Sequence, residues 1–188
     1  MANTCTTEYA FEGERENINS LGQELEKLAK SKNDCLDYQD WHCEPNWLGF
    51  LAKNVLGADP NQIECRGEFY VGETSNSPYD DNEITLKVSA YTAWSPCTEL
   101  FEKVAEKFDV RIYWIAEELG VGLFQTNDFD GRYFHDTHIV DTEEYGTKYF
   151  ESEEDAVKYV VGLTGNSEIT WDELEDIDGI TTYGVEYV

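Results

Sequence analysis

The sequence predicts an α+β fold, and three observations predict it. Apolar residues recur at helical spacing in some segments, alternate with polar ones at period two in others, and the two patterns follow one another as strand-helix-strand passages. The chain's 188 residues, 40% hydrophobic and 14% aromatic, are enough for one sizeable core.

The first passage reads as a strand across Thr6 to Glu12, then a helix from about Glu14 to Ser31 with Ile18, Leu21, Leu25 and Leu28 on one face. Asn33 to Pro45 has neither period, being dense in Asp, Cys and aromatics, and reads as an ordered loop whose Tyr38 and Trp41 cap the core. Asn46 is placed to cap a short helix with the stripe Trp47, Leu48, Leu51 and Val55, which Gly57 and Pro60 stop. Residues 33–62 together form an insertion.

Alternation resumes at Ile63, Cys65, Gly67, Phe69 and Val71, and the polar run GETSNSPYDDN reads as a loop. A further strand alternates through Ile84, Leu86, Val88 and Ala90. Ser95-Pro96 then offers an N-cap with proline at the first helical position, ahead of Leu100, Phe101, Val104, Ala105 and Phe108. Period two returns over Val110, Ile112, Trp114 and Ala116, closing a second β-α-β passage.

Strands over Val121–Thr126 and Arg132–Val140, joined through Asp128-Phe129-Asp130-Gly131, read as a hairpin. Ser152 caps a helix over Glu153–Val161, Thr170 and Glu173 make a capping box before another brief helix, and Ile180–Tyr187 reads as an edge strand. The expected organisation is one α+β domain over 1–150 and a small acidic helix-and-strand extension over 151–188 packed on it.

Forty acidic against thirteen basic residues give a formal charge of −27, which opposes direct binding to nucleic acid or to anionic membranes. The same field attracts basic protein surfaces, including the phosphate-binding grooves of nucleic-acid enzymes. No run approaches the roughly 20 apolar residues of a membrane helix, and MANTCTTEYAFEGE has neither a basic n-region nor an apolar h-region, so the expected location is cytoplasmic.

Cys5, Cys35, Cys43, Cys65 and Cys97 match no zinc or iron–sulfur spacing and read as free thiols. No metal or cofactor is expected. Aligning Gly131 with the glycine of a calcium loop puts Thr126 at the first ligand position and Thr137 where a bidentate Glu belongs, so a turn is the better reading. His135 and His138, three apart on a strand, point to opposite faces, and His42-Cys43 near Cys35 lacks a second ligand pair. GxSxG, HExxH, P-loop and GxGxxG motifs are absent, and the adjacent carboxylates Glu117-Glu118 and Glu143-Glu144 are what so acidic a composition produces by itself.

What survives is the acidic surface. From Asp141 to Val188 fourteen acidic residues against two basic ones leave −12. Glu151, Glu153, Glu154, Asp155, Trp171, Asp172, Glu173, Glu175, Asp176 and Asp178 are the candidate partner-binding residues, with Tyr145, Tyr149 and Tyr159 interleaved.

Ala93-Trp94-Ser95-Pro96, the helix TELFEKVAEKFD, the strand VRIYW and the segment EELGVGLF, with the opening MANTCTTEYAFEGERENINSL, resemble the YubB-like ferredoxin-fold family, over about two-thirds of the chain. Those proteins occur on plasmids, phages and integrative elements. The resemblance implies a ferredoxin-like β-α-β sheet with helices on one face, where "ferredoxin" names an arrangement and not a cluster. Cys97 stands where the family commonly has a second proline, and the acidic C-terminal extension departs from its pattern.

Two functions follow. The leading one is a non-enzymatic intracellular accessory protein of a mobile element whose carboxylates occupy a basic protein surface, in its concrete version a DNA mimic acting on a host defence enzyme. The other is an enzyme or small-molecule binder with a pocket near His42, Cys43, His135 and Asp136.

Overall fold

A computed structural model describes residues 3–31 and 44–188, so the expected Tyr38–Trp41 cap, Cys35 and His42-Cys43 lie outside the described residues. The chain is α+β and divides into two compact units, Met1–Leu123 and Phe124–Val188. Residues 124–150 therefore fall in the same unit as the acidic tail.

In the first unit β1 (Thr4–Glu14) feeds α1 (Arg15–Lys30), and after α2 (Leu48–Phe50), whose last turn Leu51–Leu56 is wound as a π-helix, come β2 (Gly67–Asn76), β3 (Glu83–Ala93), α3 (Thr98–Phe108) and β4 (Arg111–Glu118). The strands lie in the order β2-β3-β1-β4, every neighbour antiparallel, with Tyr9 opposite Val88 on one side and Trp114 on the other. Period two puts Cys5, Thr7, Tyr9, Phe11, Leu86, Val88, Ala90, Trp114 and Ala116 on one buried face. The helices cover it, with Ile18, Leu21, Leu25, Leu100, Phe101 and Val104 all buried in the same cluster. The Phe101 ring lies 4.1 Å from that of Tyr9, and α1 lies over β3, where a Cβ on Gly22 would stand 3.7 Å from Leu86.

Four local expectations are corrected here. Asn46 does not cap α2: its amide donates to the Phe69 carbonyl at 3.0 Å, and Trp47 takes the N-cap position without a side-chain bond. Ile63 and Cys65 are buried but precede the strand, which begins at Gly67. β2 then runs on through GETSN, because pairing with β3 and a bulge between Val71 and Thr74 carry the polar residues that read as a loop. The true turn is held by Ser77 Oγ, which accepts from the amides of Tyr79 and Asp80. Finally, α3 starts at Thr98 with Cys97 as N-cap, while the Ser95 hydroxyl donates to Glu64 at 2.7 Å.

β5 (Leu123–Thr126) crosses the boundary at its first residue, and in the second unit its Gln125 and Thr126 pair in parallel with the last strand of the chain, beside a three-stranded antiparallel sheet. That sheet is built from β6 (His138–Thr142), β7 (Gly146–Phe150) and β8 (Ile180–Gly184), in the order β7-β6-β8. Between β7 and β8 come α4 (Glu153–Thr164) and a 3-10 helix over Trp171–Asp176, and β9 (Glu186–Tyr187) follows. Val140, Ala156, Val160 and Leu174 are its fully buried cluster, with Phe150, Val157, Tyr159, Ile169, Trp171, Ile177 and Ile180 around them. Ser152 caps α4 by accepting from the Asp155 amide, and the Thr170–Glu173 capping box is formed.

The expected hairpin over Val121–Thr126 and Arg132–Val140 is not formed. β5 pairs in parallel with β9, and β6 begins only at His138 and pairs with β7 and β8. The reason is Asp128, which is 2% exposed and accepts from the amides of Arg132 (2.8 Å), Tyr133 (2.6 Å) and Phe134 (3.0 Å), so those N–H groups are not available to a ladder. His135 consequently lies in a loop and not on a strand. Among the described residues no helix is long and apolar enough to cross a membrane.

Candidate functional site

The ten predicted partner-binding residues all belong to the second unit. Nine are exposed, and Trp171 is half-buried with its ring edge-on to His138 at 4.7 Å. They sit on two short supports: Glu153, Glu154 and Asp155 in the first turn of α4, just after Glu151, and Asp172, Glu173, Glu175 and Asp176 on the 3-10 helix, just before Asp178. A carboxylate in a first helical turn answers unpaired N–H groups and the positive end of the helix dipole, which explains why acidic residues settle there with no ligand involved.

Three of the ten carry such internal bonds. Asp155 accepts from the Ser152 hydroxyl at 2.8 Å, Glu173 accepts from the Thr170 amide and hydroxyl at 2.9 and 2.8 Å, and Glu175 accepts from Thr182 at 3.4 Å. The Thr170 bonds hold the Glu173 carboxyl below its ordinary value. Glu151, Glu153, Glu154, Asp172, Asp176 and Asp178 are the exposed remainder, carboxylates that present acceptor oxygens outward from capped, backed elements.

His135 and Asp136 are both exposed in the loop before β6. His138 has its pKa lowered by burial, with Glu153 acting against that shift, and its Nδ1 lies 2.8 Å from the Thr137 hydroxyl. Cys5, Cys65 and Cys97 are buried free thiols, and burial pushes all three up, Cys97 to about 12. Thiols so shifted are poor nucleophiles and poor metal ligands at neutral pH. Among the described residues no group of three or more His, Cys, Asp or Glu is arranged to hold a metal ion.

Sequence reasoning missed a polar network in the first unit. Glu12 is fully buried, yet it accepts from Ser77 at 2.5 Å and pairs with Arg111 at 3.1 Å, while Arg111 also pairs with Glu83. Bonds to Glu83 and Glu12 raise the Arg111 pKa further. The network ties the β2–β3 turn to the start of β4 and borders a cavity of about 890 Å3 whose other acidic lining includes Glu14, Glu102, Glu106 and Asp109. Cavities of about 580 and 430 Å3 lie along β2, and none of these three includes His135 or Asp136. No sequence period marks Glu12, because its burial depends on partners 65 and 99 residues away.

Comparison with protein-family models and with curated proteins gives no match to this chain.

Proposed function

We propose that the chain is a non-enzymatic, cytoplasmic accessory protein of a mobile genetic element that binds a basic surface on a protein partner through the carboxylates of its second unit. The observation that carries this is the concentration of charge. Over 124–188 seventeen acidic residues against three basic ones leave −14, more than half of the chain's −27 in about a third of its length. Carboxylates held on capped elements can imitate a phosphate track, since both offer anionic oxygens to lysine and arginine forks, and a DNA mimic aimed at a nucleic-acid enzyme is the concrete version. For the first unit we read a ferredoxin-like fold of the YubB-like kind, supported by its β-α-β-β-α-β order, by antiparallel neighbours in the order β2-β3-β1-β4, and by the Trp94-Ser95-Pro96 segment before α3.

The test is recovery of a partner from the native host at low ionic strength and its release toward about 0.5 M salt, where screening is severe. Reversing Glu154, Asp172, Asp176 and Asp178 to lysine, which spares the Glu173 capping box, should abolish capture. Reversing Glu14, Glu16, Glu102 and Glu106 of the first unit should weaken it far less. Equal loss from both sets means general attraction and no defined face, and failure of duplex DNA to compete rules out mimicry.

A further inference from the structure

Among the described residues Phe129 is the most exposed of the large hydrophobic side chains, at 66%, and Tyr187 beside it is 45% exposed. Their rings stack with centroids 5.7 Å apart and planes inclined by 23°. A ring left in water on a loose loop would be unremarked, but this one is held from behind. Phe129 occupies a corner of a turn closed by the Gly131 amide on the Asp128 carbonyl at 3.1 Å, with Gly131 at φ +60. The Asp128 carboxylate, buried beneath, fixes the three amides that follow, and its own amide donates to Thr126 Oγ1 at 3.0 Å.

Tyr187 is fixed in turn by the β5–β9 pairing, by the Val188 amide on the Thr126 carbonyl at 3.0 Å, and by Gln125 donating to Glu186 at 2.7 Å. Hydrogen bonds within the loop and along the β5–β9 pair thus hold an apolar surface in solvent, and both rings lose little conformational entropy on being covered.

We propose that the Phe129–Tyr187 stack is the apolar anchor of a protein interface, and that its occupant is an apolar patch flanked by lysine and arginine. The flanking chemistry follows from charge. Asp130 and Glu186 adjoin the two rings in sequence, and the unit that carries them is at −14. A nucleic acid, an anionic membrane or a second copy of this chain would each bring like charge to the rings, whereas a basic-rimmed patch covers the aromatics and meets the carboxylates together. The inference rests on the preceding reading in one respect, that the partner is a basic protein, and adds the apolar contact that gives such an interface its lifetime.

The probe is a short helical peptide of leucine and lysine with one apolar face, compared with the same peptide carrying serine for each leucine, both at low salt with the full chain. The leucine peptide should bind and shift the Phe129 and Tyr187 ring signals in NMR spectra, and Phe129→Ser should weaken it about tenfold or more. Phe129→Leu should weaken it less, and the serine peptide should bind weakly and equally to all three proteins. If Phe129→Ser leaves the leucine peptide unaffected the anchor is wrong, and loss of both peptides on replacing Asp172, Asp176 and Asp178 by Asn would then leave the acidic-face reading standing. Failure of both peptides to bind the unaltered chain overturns anchor and acidic face alike.

Discussion

The two units keep their shape by different means. Among the described residues the first buries a cluster of twenty-six hydrophobic side chains, the second a cluster of four. Their net charges are nearly equal, −13 over 1–123 and −14 over 124–188, so the second carries about twice the charge per residue. A small core gives little to set against self-repulsion, and polar devices make up the difference: the Ser152 cap, the Thr170–Glu173 box and the Asp128 carboxylate under its loop. Part of the acidity itself holds the fold: Glu173 accepts from the Thr170 amide, and the buried Asp128 carboxylate accepts from three loop amides.

The largest expected effect lies at the small core of the second unit. Leu174→Ala should cost about 2–5 kcal/mol, which for a unit with so little apolar burial amounts to most of its stability. Hydrogen exchange should then quicken over α4, β6 and β8 while the amides of β1 and β3 keep their protection. Exchange that quickens equally in both units would show that they unfold together and that the contrast has no energetic meaning.

Asp128→Ala should come next, at about 2 kcal/mol or more, since it leaves three amides without their charged acceptor. Its signature is local, with the largest amide shifts at Arg132, Tyr133 and Phe134 and lost stacking between Phe129 and Tyr187. Asp128→Asn keeps one acceptor oxygen and should cost less. An unchanged melting temperature for the alanine variant would falsify the view that this carboxylate organises the loop.

Asp128 also shows where sequence reading reached its limit. Asn127-Asp128-Phe129-Asp130-Gly131 was legible as a turn, and Gly131 does adopt the left-handed conformation, but the pattern is the same whether the aspartate faces water or the amides beyond it. The helices were legible because their stripes set their own burial, as at Ile18, Leu21, Leu25 and Leu28, and so were the Ser152 and Thr170 caps, which are local. The extension of β2 through Gly72–Asn76 was not, since its polar residues are in a strand only because β3 supplies the partner. Of the candidate surface, the acidic residues could be named from composition. Phe129 and Tyr187 could not, as an aromatic in sequence is more often core than surface.

The smallest expected effect concerns pH and again separates the units. His138, beside Trp171 at the start of β6, is held below its ordinary value of 6.5 by burial, so the folded chain takes up its proton less readily than the unfolded one. The unfolded state then binds more protons in the interval between the lowered value and 6.5. Stability from this group is therefore fully present above 6.5 and is lost as pH falls through that interval. Any change in carboxylate charge over the same range is common to the unaltered chain and to a variant at His138. The difference between the unaltered chain and His138→Gln isolates the imidazole. Between pH 7 and about 5 the melting temperature of the second unit should fall more in the unaltered chain than in the variant, with the first unit indifferent to the substitution. A steeper fall in the variant would mean that the imidazolium is stabilised in the folded state, with Glu153 outweighing the desolvation beside Trp171.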